Sequence, residues 1–231
     1  MARAASFAQL APRPRSAWSP AYPKVLAFGD SITFGAGSTD GGGYRSKLQA
    51  LAYSDGVPIR FVGTQAAGPA TVSGLSFLSA NEGHPGYTIA NTPTPSSGIT
   101  ELVATVFPAT TPDIVLLHIG VNDVNYSAGL PTMLDRLTTL VQTIFNAAPR
   151  CRVVLAKNTV VNMGPLAAWD TYVAGVPGVA ATFASSGYIC TSVDMSVIPW
   201  STTDFADGVH PNDSGYAKMA GIWYGAIRRL L

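Results

Sequence analysis

Five short apolar runs, each cut off by glycine or by a polar turn, set the terms for any fold this chain can adopt. They are residues 24–28 (KVLAF), 59–62 (IRFV), 113–119 (DIVLLHI), 153–156 (VVLA) and 188–193 (YICTSV). Each is too short for a helix, and apolar residues stand at consecutive rather than alternate positions. Such runs predict strands covered on both faces. Stretches of helical spacing lie among them. The first is residues 44–54, with Leu48 and Leu51 on one face. The others are 99–107, 131–148 with Pro131 in its first turn, 169–185 with a break near Gly175 to Gly178, and 213–231 capped by Asn212 or Asp213. Alternation of strand and helix predicts the α/β class: a three-layer α/β/α sandwich around a five-stranded parallel sheet. Ligands of such sheets bind at the carboxyl ends of the strands. Residues 64–98, rich in Gly, Pro, Ser and Thr, read as one long loop of the kind that carries function.

With 231 residues the chain suits one domain, expected over residues 23–231, behind a tail over 1–22 in which Pro12, Pro14 and Pro20 break any helix. Charged residues make up 12% of the chain, about half the usual share of ~25%. Beyond residue 20 there are eleven basic and thirteen acidic side chains, with no basic stripe to neutralise phosphates. That balance argues against nucleic acid as a partner. No apolar run approaches the ~18 residues of a membrane span. The stretch from Ala4 to Ala11 is too short for a signal peptide, yet the low-charge Thr/Ser/Gly-rich body has the composition of a secreted protein. Two cysteines, Cys151 and Cys190, are too few for a disulfide scaffold, and neither a zinc spacing nor a C-x-x-C motif is present.

The segments that follow the strands carry the chemistry. The first strand runs into Gly29-Asp30-Ser31-Ile32-Thr33, where glycine permits a sharp turn that presents the serine hydroxyl at the sheet edge. This is not a G-x-S-x-G elbow, and a serine here could equally cap the next helix. The third strand runs into Gly120-Val121-Asn122-Asp123, whose asparagine amide could donate to an oxyanion or simply brace its own turn. The last helix is preceded by Asp207-Gly208-Val209-His210-Pro211. A serine nucleophile needs a base, and the base needs a carboxylate on its other nitrogen; Asp and His three apart in a tight turn can face each other. Of the other histidines, His118 sits inside an apolar strand and reads as a core residue, whereas His84 in the long loop stays open. Asp204 and Asp194 compete with Asp207 but lack the i, i+3 spacing. Asp30 and Asp123 read as backbone-bracing residues.

Together and in this order, these blocks resemble the GDSL, or SGNH, hydrolases over residues 24–231. The resemblance implies a flavodoxin-like fold without a lid domain. It implies acyl transfer in which Ser31 is the nucleophile, His210 the base and Asp207 its orienting acid. It also implies an oxyanion hole made by the amides of Ser31 and Gly86 and the side chain of Asn122, with no metal or organic cofactor. Gly86 is assigned within Glu82-Gly83-His84-Pro85-Gly86-Tyr87-Thr88-Ile89, in preference to Gly83 or Gly63. The stretches Phe61-Val62-Gly63-Thr64-Gln65, Glu82 to Tyr87 and Asp113 to Gly120 are similar to those of acetylxylan esterases of carbohydrate esterase family three. The implied activity is removal of acetyl groups from xylan or a related carbohydrate. The alternatives are a short-chain carboxylesterase without polysaccharide preference and a carbohydrate-binding protein that has lost turnover. Tyr87, Tyr126 and Trp200 could stack on sugar faces or merely pack. Asn158 and Asn162 could line the pocket but more readily brace it. In the flavodoxin-like strand order Cys151 and Cys190 lie on neighbouring strands, which leaves both a disulfide and two buried thiols open.

Overall fold

A computed structural model of the protein describes residues 22–158 and 167–231. The expected tail lies outside the described residues except for Tyr22, and Asn162 lies outside them too. Strand β1 (Lys24–Gly29) is followed by the single-turn helix α1 (Ser31–Phe34) and by α2 (Gly43–Ser54). Four short strands come next: β2 (Arg60–Val62), β3 (Gln65–Ala66), β4 (Thr71–Val72) and β5 (Leu75–Ser76). The chain continues through β6 (Ala80–Gly83), α3 (Val103–Thr110), β7 (Ile114–His118) and the short α4 (Val121–Asn125). It closes with α5 (Met133–Ala147), β8 (Arg152–Lys157), α6 (Ala167–Ser185), β9 (Cys190–Asp194) and α7 (Asp213–Leu230).

The parallel sheet runs β1-β7-β8-β9, with β2 and β6 sharing the remaining edge of β1. Helices α2 and α7 pack together, and α5 packs between α3 and α6. The interior of β1 and all of β7 are buried, which is why both are apolar without alternation. Helix α5 buries Met133, Leu137, Leu140, Val141, Ile144 and Phe145, the stripe that a 3.6-residue period predicts.

Three expectations need correction. Residues 64–98 are not a single loop. The chain turns away from β1 at Gly63, lays β3 antiparallel on what becomes β6, forms a hairpin from β4 and β5, and returns as β6 to complete β1, pairing Phe28 with Glu82 and Gly29 with Gly83. Gly63 marks the crossing: a Cβ there would lie 2.2 Å from the Asn81 carbonyl. Helix α6 runs unbroken through Gly175, Pro177 and Gly178. Gly175 lies where α6 meets α5: a Cβ would stand 2.4 Å from the Leu134 side chain, which would have to shift. Burial of Trp169, Tyr172, Val176, Val179, Ala180 and Phe183 outweighs the one hydrogen bond that Pro177 removes. In α2 the buried face is Tyr44, Arg45, Leu48, Gln49 and Ala52, and Leu51 lies at its rim, 36% exposed. Asn212 is the cap of α7, accepting from the N–H groups of Ser214 and Gly215.

Cys151 immediately precedes β8, and Cys190 opens the neighbouring β9, in register with Val153. Both are free, buried thiols, and burial pushes each up to about 12.

Candidate active site

The carboxyl end of β1 turns into α1 through Asp30. The Asp30 Oδ1 accepts from the Ile32 N–H at 3.0 Å and caps the helix. Ser31 is thereby the first residue of α1, where backbone N–H groups have no helical partner. Gly29 cannot carry a side chain here, because a Cβ would lie 2.0 Å from the His118 carbonyl on β7. Ser31 Oγ lies 2.8 Å from His210 Nε2, and His210 Nδ1 lies 2.7 Å from Asp207 Oδ2. The second carboxylate oxygen of Asp207 accepts from the N–H groups of Val209, at 3.0 Å, and His210, at 2.8 Å. Gly208 holds a left-handed φ of 85° in this turn, and Ala206 donates to the His210 carbonyl at 2.9 Å. Burial raises the Asp207 carboxyl, but the two N–H groups and the imidazole overcome it and hold it at about 2. A carboxylate only accepts, so Nδ1 carries the imidazole proton and Nε2 is left to accept from the serine hydroxyl.

The end of β6 faces this serine. A Cβ on Gly83 would stand 2.2 Å from the Phe34 nitrogen, so β6 abuts α1 directly. The next residues form a turn closed by the Tyr87 N–H donating to the His84 carbonyl at 3.1 Å. Pro85 and Gly86 occupy its centre, and Gly86 has a φ of 83°, the Pro-Gly signature of a type II turn. A Cβ on Gly86 would lie 3.5 Å from the Tyr126 hydroxyl. On the other side of β1, Gly120 at φ 112° ends β7 and leads into α4, which carries Asn122. The Asn122 amide donates one hydrogen to the Tyr87 carbonyl at 3.0 Å. Ser31, Gly86 and Asn122 therefore belong to three turns at one end of the sheet, tied to each other by hydrogen bonds.

The competing acids have other partners. Asp204 is buried, pairs with Lys218 at 2.6 Å and forms a capping box with Ser201, bracing the loop that carries Asp207. Asp194 pairs with Lys157 at 2.7 Å and caps residues 195–197. Asp123 accepts from Arg136 at 2.5 Å and from the Ile89 N–H at 3.1 Å. Buried His118 titrates at about 4 because burial disfavours its charged form. His84 bonds to Glu82. Burial raises Asp30 to about 7 against the Ile32 hydrogen bond, and its Oδ2 has no partner among the described residues. Asn158 donates to the Ile119 carbonyl at 2.7 Å and braces the end of β7.

Of the three aromatic candidates, Tyr126 is 46% exposed beside Gly86. Tyr87 packs its ring on His84 at 5.0 Å. Trp200 packs at a tilt against Phe205 and spends its N–H on the Met195 carbonyl. A cleft of about 660 Å³ lined by Lys24, Phe107, Asp113 and Arg152 lies at the amino ends of β1, β7 and β8, remote from Ser31.

Sequence reasoning missed Arg45. Its guanidinium is buried and donates to the carbonyls of Thr33, Phe34, Ser79 and Ala67, clamping α1 to the excursion between β2 and β6. Burial lowers it to about 10, so it remains charged at neutral pH. An arginine at the same helical face as Tyr44 and Leu48 was the available signal.

A family model described as GDSL-like lipase/acylhydrolase matches residues 27–218. A multidomain esterase of Ruminococcus flavefaciens is 30% identical over 227 residues, covering 90% of this chain. The chain spans only 29% of that relative's length. Among solved structures, a family 3 carbohydrate esterase of Clostridium thermocellum is 30% identical with a TM-score of 0.77, covering 90% of this chain and 98% of its own. A carbohydrate esterase family 3 structure from Talaromyces cellulolyticus, 24% identical with a TM-score of 0.75, covers 90% and 97% and shares the fold.

Proposed function

Because this chain belongs to the GDSL-like lipase/acylhydrolase family, we propose that it is a carboxylic ester hydrolase, a serine esterase that removes acetyl groups from xylan or a related carbohydrate. The observation that carries the mechanism is the continuous relay from Ser31 Oγ through His210 to Asp207, at 2.8 and 2.7 Å. Ser31 Oγ attacks the ester carbonyl carbon as its proton passes to His210 Nε2. The oxyanion is held by the N–H groups of Ser31 and Gly86 and by the second amide hydrogen of Asn122. Collapse of the tetrahedral adduct expels the sugar hydroxyl, which takes the proton from Nε2, and leaves acetyl on Ser31. Water then attacks the acyl-enzyme, with His210 again accepting the proton, and Nε2 returns that proton to Ser31 Oγ as acetate departs. Asp207 keeps Nε2 unprotonated in the resting enzyme and stabilises the imidazolium when it forms.

Two features favour a small acyl group on a hydrophilic alcohol. The relay stands in the open: the side chains of His210 and Asp207 are 24% and 57% exposed. A long acyl chain would need an enclosing apolar pocket, whereas an open mouth beside exposed Tyr126 accommodates a sugar ring. The second is the similarity to the Clostridium thermocellum family 3 carbohydrate esterase along nearly its whole length. A polysaccharide substrate and the low-charge composition fit action outside the cell; among the described residues no helix is long and apolar enough to cross a membrane.

The test is a comparison of acetyl, butyryl and octanoyl p-nitrophenyl esters with acetylated xylo-oligosaccharide, using the protein and its Ser31→Ala variant. Acetyl preference and acetate release, both abolished in the variant, are expected. Octanoyl or butyryl preference without acetate release from the oligosaccharide would replace this reading with a lipid or general esterase. A serine-reactive phosphonate that fails to label the folded protein would point instead to a binding protein.

A further inference from the structure

Glu82 is a carboxylate with no exposed side-chain surface, at the penultimate position of β6. One of its oxygens accepts from the Thr64 N–H, and the other accepts from His84 Nε2 at 2.7 Å. A carboxylate cannot donate, so Nε2 carries the proton, and the ring direction is set by a group that is itself immobile in the sheet. His84 is joined to the proposed oxyanion hole by three further contacts. Its N–H donates to the Gly29 carbonyl, two residues before Ser31, at 2.9 Å. Its carbonyl accepts from the Tyr87 N–H and closes the turn that presents Gly86. Its ring packs against the Tyr87 ring at 5.0 Å. The Tyr87 carbonyl in turn holds one hydrogen of the Asn122 amide. An amide nitrogen has two hydrogens in a fixed plane, so spending one on Tyr87 aims the other.

We propose that Glu82 and His84 form a positioning pair that sets the geometry of the oxyanion hole: the pair fixes the 84–87 turn, and the turn fixes both the Gly86 N–H and the Asn122 amide. The pair touches no reacting atom. This rests on the assignment of Ser31, Gly86 and Asn122 made above. A buried, hydrogen-bonded carboxylate is by itself weak evidence for stability, whereas oxyanion donors must stand within a few tenths of an ångström of the developing charge. Misplacement by about 1 Å costs on the order of 10²-fold in rate.

The test separates the hydrogen bond from the ring. His84→Gln places an amide nitrogen near the position of Nε2 and loses the ring; His84→Phe keeps the ring packing and loses the bond. With p-nitrophenyl acetate, His84→Phe is expected to lower kcat by about 10- to 100-fold with KM little changed, and His84→Gln to stay near the wild type. His84→Phe added to Asn122→Ala should cost several-fold less than it costs alone, because the donor it aims is already gone. Should His84→Phe melt early, His84→Asn, too short to reach Glu82, is expected to show the same loss in a folded chain. Wild-type kcat in His84→Phe, higher activity in His84→Phe than in His84→Gln, or full additivity with Asn122→Ala would each overturn the pair. Ser31→Ala distinguishes the two levels. Turnover surviving in that variant defeats the site assignment. An inactive Ser31→Ala beside a fully active His84→Phe leaves the assignment intact and removes only the positioning role.

Discussion

Asn122 and Asp30 show how much a single side chain is asked to do at the end of this sheet. Asn122 is held at 3.0 Å by the Tyr87 carbonyl, with its other hydrogen free for the substrate oxygen in the proposed mechanism. Asn122→Ala is expected to lower kcat by about 10²–10³-fold with little change in KM, because an oxyanion donor acts on the transition state and hardly on the bound ester. Steady-state kinetics on p-nitrophenyl acetate decide this; unchanged kcat would take Asn122 out of the hole. Asp30 makes a different prediction. Folded, it keeps its proton up to about pH 7; unfolded, it ionises near pH 4. Between those values only the unfolded chain releases the proton, so Asp30 subtracts stability as pH rises through this window and no more above it. Asp30→Asn retains the oxygen that caps α1 and cannot ionise. Its stability advantage over the wild type, read as a higher Tm, should be small at pH 4, grow toward pH 7 and then level, reaching on the order of 2–4 kcal/mol. A Tm difference that is flat with pH would mean that Asp30 ionises normally in the fold.

At the scale of elements, the short strands of residues 64–98 and the unbroken α6 share one lesson: neighbours settle what local sequence leaves undecided. β6 has an ordinary loop composition, and it becomes a strand because β2 covers only the first half of β1. Arg45 holds that excursion in place, and its carbonyl partners come from three separate segments: Thr33 and Phe34 of α1, Ala67, and Ser79. Arg45→Lys keeps the charge but loses the planar fork, leaving at least two of these buried or part-buried carbonyls unmatched. A loss of about 2–4 kcal/mol is expected. It should appear as a lower urea midpoint with unchanged m-value. A wild-type midpoint would show that water or a rearranged lysine serves those carbonyls equally well.

Across the whole molecule, the sheet order carries the function. β6, β1 and β7 are adjacent, so the turns that follow them converge, and the loop before α7 crosses to meet them with His210. Ligands of open α/β sheets bind at the carboxyl ends of the strands, and the convergence of three turns around Ser31 is that rule in particular residues. The same order makes β8 and β9 neighbours and brings Cys151 and Cys190 to adjacent strands without joining them. Two titratable thiols are therefore expected when the protein is denatured without reductant. A count of zero that rises to two on reduction would mean that the strands close enough to bridge.

The sequence by itself determined the elements whose signal is local. Continuous apolar runs bounded by glycine or by a polar turn specified β1, β7, β8 and most of β9, and the three-residue spacing in Asp207-Gly208-Val209-His210 already implied an acid facing an imidazole. Ser31 and Asn122 were legible because each follows a buried strand at its glycine. The tertiary structure alone decided the rest. Whether residues 80–83 form a strand depends on how much of β1 a distant segment leaves uncovered. Whether Gly175 and Pro177 break a helix depends on the apolar face that α6 buries in the core. Whether Glu82 and His84 form a pair, and whether Trp200 faces substrate or packs, depends on which groups the fold brings within hydrogen-bond reach. Local pattern measures a residue's own preference for burial and backbone shape, and partnership across the chain is a property of the packed state.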